Sequence, residues 1–268
     1  MAADSKPDDV KSSGPGAFGL DCSRLATPRP SRRVALATLA GIPAAAFLSR
    51  ADAQTSATVG VDLQLVLAVD ASGSVNARRF RLQQAGYADA FRNPRVIQAI
   101  RSGLHGAIAV TMFQWTGPRL HAPVTQWTRL ASEKDIREYG EFIDRSERHL
   151  FGGGTSISGA IDYGASLFAS CPWKAARRVI DVSGDGYNTS GRPAANARDE
   201  AVKQGIVING LPILAIEFDL DEHFRQEVVG GPGSFLISAR TFEAFGEAVA
   251  RKLVQEIAGR PAPALSTG

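Results

Sequence analysis

A chain of 268 residues that is 44% hydrophobic and 21% charged can bury one large α/β-sized core, and its apolar content excludes a wholly disordered protein. Its formal net charge of +3 comes with no Lys/Arg-rich run and no basic–aromatic stripe, so nucleic acid is not an expected partner.

The first 53 residues do not read as fold. Residues 1–30 are rich in Pro, Ser, Gly and Asp, show no apolar periodicity, and are expected to be disordered. Ser31-Arg32-Arg33-Val34-Ala35-Leu36 then leads into an Ala-rich apolar stretch from Ala37 to Leu48. Ala51-Asp52-Ala53 closes it with small residues at the two positions a signal peptidase reads. That order makes a secretory signal removed near Ala53, and the apolar stretch is too short to span a membrane. The paired arginines resemble the twin-arginine export signal. Ala35 stands where that signal usually carries Phe, so general secretion stays open beside it. The mature chain is expected in the periplasm or outside the cell.

Removing the leader changes the charge. Of 30 Lys/Arg and 27 Asp/Glu, seven and five lie in residues 1–53, leaving 23 against 22. Cys22 leaves with the leader, so Cys171 has no partner for an internal disulfide and is expected to be a buried, inert thiol. No other apolar stretch has spanning length, so the mature chain is not expected to cross a membrane.

From residue 54 the pattern alternates between apolar runs and amphipathic segments. Leu63–Val69 is a near-continuous apolar run, as in a strand covered on both faces. Residues 76–92 predict a helix with Phe80, Tyr87, Ala88 and Phe91 on one face, stopping near Asn93-Pro94. Residues 107–115 read as a strand, followed by a shorter one around 121–127. Ser132 is placed to cap a helix to about 148, and a second helix is expected over 156–169 after the Gly152–Gly154 loop. A strand at 178–183, a helix at 194–204, a strand at 206–214 and a short helix at 221–229 follow. A sixth strand at 234–239 and a last helix at 241–258 complete the domain, with Phe242, Phe245, Val249, Leu253 and Ile257 inward. Residues 261–268 form a loose tail. Strands alternating with helices predict one α/β domain over 54–260: a doubly wound, mostly parallel six-stranded sheet with helices on both faces.

Three short segments carry the chemistry: Asp70-Ala-Ser72-Gly-Ser74, Gly153-Gly-Thr155 and Gly184-Asp185-Gly186. Each lies where an apolar run ends or a Gly-rich loop turns. Asp70 and Asp185 follow directly on strands placed at the sheet centre, and ligands of such sheets sit beyond the carboxyl ends of the strands. The segments supply three hydroxyls and two carboxylates, hard oxygen donors suited to Mg²⁺ or Mn²⁺ with some water retained.

Other chemistry fits less well. Ser72, Ser74 and Thr155 could merely cap the helices that follow them. Asp181-Val-Ser183-Gly-Asp185-Gly186 begins like a calcium loop, but its twelfth position is Arg192 rather than Glu. A phosphoesterase using Asp70 as nucleophile would want a second Asp where Ser72 stands. No Gly-Lys-Ser/Thr follows the Gly-rich loop, and no Gly-x-Ser-x-Gly surrounds Ser72. His105, His121, His149 and His223 have no zinc-ligand spacing. Trp115, Trp127 and Trp173 are expected in core or strand-edge packing, and Glu217, Asp219, Asp221 and Glu222 as a solvated helix start.

Asp-x-Ser-x-Ser after a hydrophobic strand, with Thr155 and then Asp185 in later loops, resembles the metal-ion-dependent adhesion site of von Willebrand factor A domains. The resemblance covers about residues 60–258, including strand and helix order, and is nearest to a subgroup of secreted bacterial A-domain proteins without an established role. It implies a Rossmann-like fold and a metal set of Asp70, Ser72, Ser74, Thr155 and Asp185. The hydroxyls of Ser72, Ser74 and Thr155 would bind the ion directly, and Asp70 and Asp185 would act through water. The implied activity is Mg²⁺- or Mn²⁺-dependent binding of a protein or peptide that offers a carboxylate, without catalysis. A phosphoesterase using Asp70 and a domain merely stapled by metal are the alternatives.

Overall fold

The computed structural model describes residues 60–259, so the expected leader over 1–53 and the tail over 261–268 lie outside the described residues. Strand β1 (Leu63–Asp70) is buried along its whole length, as its near-continuous apolar run requires of a strand covered on both faces. Parallel to it lie β2 (Ile108–Trp115) on one side and β5 (Arg178–Gly184) on the other, with β6 (Val207–Pro212) beyond β5. Two short strands, β3 (His121–Pro123) and β4 (Thr128–Leu130), run antiparallel along the outer edge of β2. The sheet has six strands, ordered β3-β2-β1-β5-β6 with β4 also on β2.

Where one short strand was expected at 121–127, a bulge divides two. The amides of Val124 and Thr125 both donate to the Met112 carbonyl, at 2.9 and 3.1 Å, which puts two residues opposite one. The strand expected at 234–239 is a second correction. This segment touches β6 through isolated bridges, Gly210 to Leu236 and Ile213 to Ala239, and forms no regular strand. It leaves a turn in which Gly231 and Gly233 hold φ of 94° and 75°, and the Phe235 amide is taken by the Asn209 side chain.

The helices follow their capping residues. Asn76 opens α1 (Ala77–Arg92) by accepting from the Arg79 amide. The first helix stops at Asn93 as expected, and the same residue opens a second helix that was not expected. Asn93 accepts from the Arg95 amide and Pro94 occupies the first turn of α2 (Pro94–Arg101), where a missing N–H costs nothing. Ser132 and Asp135 form a reciprocal capping box on α3 (Glu133–Arg145), and Ser156 caps α4 (Ile157–Leu167). Then come α5 (Ala194–Lys203), the short α6 (Leu220–His223), which runs into a single π turn over Phe224–Val228, and α7 (Phe245–Ala258). The last helix starts four residues later than Thr241, whose hydroxyl accepts the Ala244 amide in the preceding turn.

Alternating side chains of the central strands feed two cores. Leu63, Leu65, Leu67 and Val69 pack with α1, α2, α3 and α7, while Val66, Ala68, Ile180 and Val182 pack with α4 and α5. Trp115 is fully buried, and Trp127 and Trp173 are partly buried against the core; Cys171 is buried, with its thiol pushed up by burial. Among the described residues, no helix is long and apolar enough to cross a membrane.

Candidate metal centre

Asp70 is the last residue of β1 and Asp185 the first after β5, its direct neighbour in the sheet. The two carboxylates therefore meet although 115 positions separate them in sequence. Asp70 is fully buried: Oδ1 accepts the Ser72 amide at 2.7 Å and Oδ2 the Asp185 amide at 3.3 Å. Gln83, buried on α1, donates to the Asp70 carbonyl at 3.1 Å and fixes the end of the strand. The Ser72 and Ser74 hydroxyls lie 3.2 Å apart, and Ser74 donates to Asp185 Oδ1 at 2.5 Å. Four of the five expected residues thus form one connected set of oxygen atoms.

The fifth arrives on the second loop. The Gly73 amide donates to the Gly153 carbonyl at 3.2 Å, tying the two loops together. The Thr155 carbonyl accepts the Thr189 and Ser190 amides, which ties it to the third loop as well. A Cβ built at Gly186 would stand 3.8 Å from the Thr155 hydroxyl oxygen, so the side chain of Thr155 borders the Asp185 turn. Gly153 holds a φ of 110°, a conformation that other residues rarely adopt, and this sets the course of the loop. At Gly184 a Cβ would come within 3.2 Å of Asp70 Oδ2 and 3.3 Å of the Trp115 ring; here glycine provides room.

Capping does not explain these hydroxyls, since Asn76 caps α1 and Ser156 caps α4. The electrostatics of the cluster suit a cation. Burial first, and the Asp185 charge second, push the Asp70 carboxyl up to about 7. Burial also raises Asp185, against the opposing hydrogen bond from Ser74 and the charge of Arg79. Asp185 Oδ2 is buried with no hydrogen-bond partner. The nearest cation among the described residues, Arg79 Nη1, stands 3.6 Å from it and donates instead to the Ser74 carbonyl at 2.7 Å. An orphaned buried carboxylate oxygen amid hydroxyls is a donor set that a small divalent ion fits.

Sequence reading did not single out Arg79, Gln83 or Arg148. The last donates to the Ala71 carbonyl at 3.0 Å and stacks its guanidinium on the Phe80 and Phe151 rings. Arg79 sits one helical turn past the Asn76 cap, a spacing with a readable signal; Arg148 comes from a loop with none. The four histidines do not join the centre: His121 stacks on Tyr163, and His223 accepts the Asn188 amide at 3.4 Å.

The sequence matches, over residues 60–261, the family described as "Protein of unknown function (DUF1194)". A search of curated proteins finds no match. Among solved structures, proximal thread matrix protein 1 from the mussel byssus is similar at a TM-score of 0.55 and 11% identity, over 75% of this chain and 49% of that one. The same mussel protein, described with a zinc-occupied MIDAS motif, is similar at 0.53 and 16%, over 75% and 46%. A von Willebrand factor type A structure from Catenulispora acidiphila follows at 0.49 and 15%, over 74% and 43%. The chain spans about half the length of the mussel protein's structures, and at such identities the likeness concerns the fold. The doubly wound sheet shares the fold of the mussel protein, and through the match over 60–261 the chain belongs to the DUF1194 family.

Proposed function

We propose that this protein is a metal-dependent binding module. In it Asp70, Ser72, Ser74, Thr155 and Asp185 hold Mg²⁺ or Mn²⁺ and leave one position for a carboxylate of a protein or peptide partner. The observation that carries this reading is the buried Asp185 Oδ2 without a hydrogen-bond partner, beside an Asp70 carboxyl raised to about 7. Two buried carboxylates balance a divalent charge, and three neutral hydroxyls leave such an ion electrophilic toward one more anion. The zinc-occupied MIDAS motif of the mussel protein supports a divalent ion in this kind of loop set. An all-oxygen donor set favours Mg²⁺ or Mn²⁺ over zinc here.

Binding is favoured over hydrolysis by the way Asp70 is held. Both its oxygens accept backbone amides and its side chain is fully buried, so Asp70 is pinned within the loop set rather than exposed to attack a phosphorus atom. The domain extends over residues 54–260, followed by a tail over 261–268. Export by the leader and cleavage near Ala53 would deliver it to the periplasm or the cell exterior, where a carboxylate-bearing protein or peptide is its partner.

Thermal unfolding of the full chain with Mg²⁺, Mn²⁺ or Zn²⁺, beside Asp70→Asn and Thr155→Ala, tests the reading. At a hundredfold excess over Kd a specific ion adds ~2.7 kcal/mol, or roughly 5–10 °C for a domain of this size. A shift with Mg²⁺ or Mn²⁺ that both variants lose is expected. An equal shift in the variants would remove these loops as the site.

A further inference from the structure

Six large apolar side chains are exposed among the described residues: Leu104, Leu120, Phe142, Phe151, Ile216 and Phe218. Four of them stand in loops at the carboxyl ends of the parallel strands, around the oxygen cluster. Phe151 is 79% exposed and directly precedes the Gly152–Gly154 loop. Leu120 is 52% exposed in the turn after β2, its Cδ1 3.8 Å from where a Cβ of Gly153 would lie. Ile216 and Phe218 follow β6, and Phe218, 85% exposed, is next to Asp219, which accepts the Tyr187 hydroxyl two residues from Asp185. Single exposed apolar residues need no explanation, but a group gathered around one polar centre marks a contact surface.

The charges at this face complement an acidic occupant. Arg79 lies beside Asp185, and Arg148 donates to the Ala71 carbonyl between Asp70 and Ser72. With a divalent ion in place these arginines are in excess, since the ion already balances both carboxylates. The apolar groups flank the centre on opposite sides, Leu120 beyond β2 and Phe218 beyond β6, with β1 and β5 between them.

From this arrangement we infer that the occupant is an extended polypeptide segment with an acidic residue flanked, two positions away on each side, by apolar side chains. The inference rests on the metal reading above. From β2 to β6 is three strand spacings, roughly 14 Å, and an extended chain advances ~3.3 Å per residue, so about four steps cover the span. Side chains at positions −2, 0 and +2 of an extended segment point the same way. The acid then meets the ion, one apolar side chain meets Leu120 and Phe151, and the other meets Ile216 and Phe218.

The test uses the full chain and three fluorescein-labelled, end-capped peptides in fluorescence anisotropy: Gly-Phe-Ser-Asp-Ser-Phe-Gly, its form with both Phe replaced by Ser, and its form with Asp replaced by Asn. In Mn²⁺ the Phe–Asp–Phe peptide is expected to bind at least about tenfold tighter than the serine form, the effect of burying aromatic surface. Phe151→Ser with Phe218→Ser should bring the two together while leaving the Mn²⁺ thermal shift intact. The Asn peptide, or EDTA, should abolish binding. Equal binding of the Phe and Ser peptides in Mn²⁺ overturns the apolar footprint and leaves the metal reading standing. Binding that survives EDTA or the Asn peptide overturns the metal reading. A Mn²⁺ thermal shift without binding of either acidic peptide overturns the assignment of an extended acidic segment.

Discussion

Two pairs of buried carboxylates lie on or beside the same strand, four residues apart, and the chain treats them differently. Asp181, in the middle of β5, faces Glu256 on α7, and Lys252 of that helix reaches both at 2.6 Å. Asn209 adds a hydrogen bond to Glu256 at 2.9 Å, and all three charged side chains are buried. Asp185, just past the end of the strand, faces Asp70, and among the described residues the cation nearest it, Arg79, stands 3.6 Å off, engaged with a carbonyl. Where the fold needs a permanent charge balance, a lysine supplies it from within. The Asp70–Asp185 pair has no such internal partner, and on the proposed metal reading an exchangeable ion would balance it.

The comparison breaks most visibly at Lys252. Replacing it with Met leaves two uncompensated buried carboxylates and is expected to cost ~3–5 kcal/mol in urea unfolding. Adding Asp181→Leu and Glu256→Leu should restore most of that loss, since the cost is the stranded charge and not the lysine's packing. At the other pair the outcome reverses. Asp185→Asn removes a charge opposed only at 3.6 Å by Arg79, so metal-free stability should hold or rise while the ~2.7 kcal/mol added by saturating Mn²⁺ disappears.

The pairs also separate by pH. Asp181 and Asp70 are both pushed up to about 7, in each case by burial first, with Glu256 and Asp185 as the respective second causes. A raised folded value means that the fold keeps a proton the unfolded chain has lost above about 4. Their stability contribution is therefore complete below about 4 and is lost as pH rises through 7. The loss should be on the order of 4 kcal/mol for each, read from urea midpoints in EDTA. Mn²⁺ should cancel the Asp70 share and leave the Asp181 share, which only Asp181→Asn removes.

Gly184→Ala gives a finer probe. Its Cβ would press Asp70 Oδ2 at 3.2 Å, so Mn²⁺ affinity should fall severalfold in calorimetry while the circular dichroism of the fold is unchanged. Smallest of all is Arg78→Ala. It removes an exposed pair with Glu243, and no change in melting temperature or metal affinity is expected.

Much of this was readable before any coordinates. The apolar runs of β1, β2 and β5 and the three oxygen-bearing loops at their ends are local patterns, and the parallel arrangement follows from alternation with helices. Asn93-Pro94 reads correctly as the stop of α1, but the second helix that starts at Pro94 went unread although its Asn93 cap is local. The rest that was not readable depends on partners distant in sequence. Residues 234–239 look like a strand until the Phe235 amide is found on Asn209. Lys252 and Glu256 are four apart on an otherwise apolar stripe, a local sign of a buried ion pair, but the Asp181 that completes it lies on another element. The orphaned oxygen of Asp185 has no local sign at all, because it is defined by what fails to reach it.

The bulge at Val124 and Thr125 has a consequence for the life of the molecule in a crowded space. On one margin of the sheet it breaks hydrogen bonding into two short strands, and on the other margin isolated bridges take the place of a continuous ladder. Neither margin offers a straight row of free amides on which a strand of another copy could grow. A protein that exposes Phe151 and Phe218 on one face can thus reach high local concentration without seeding fibrils along its flanks.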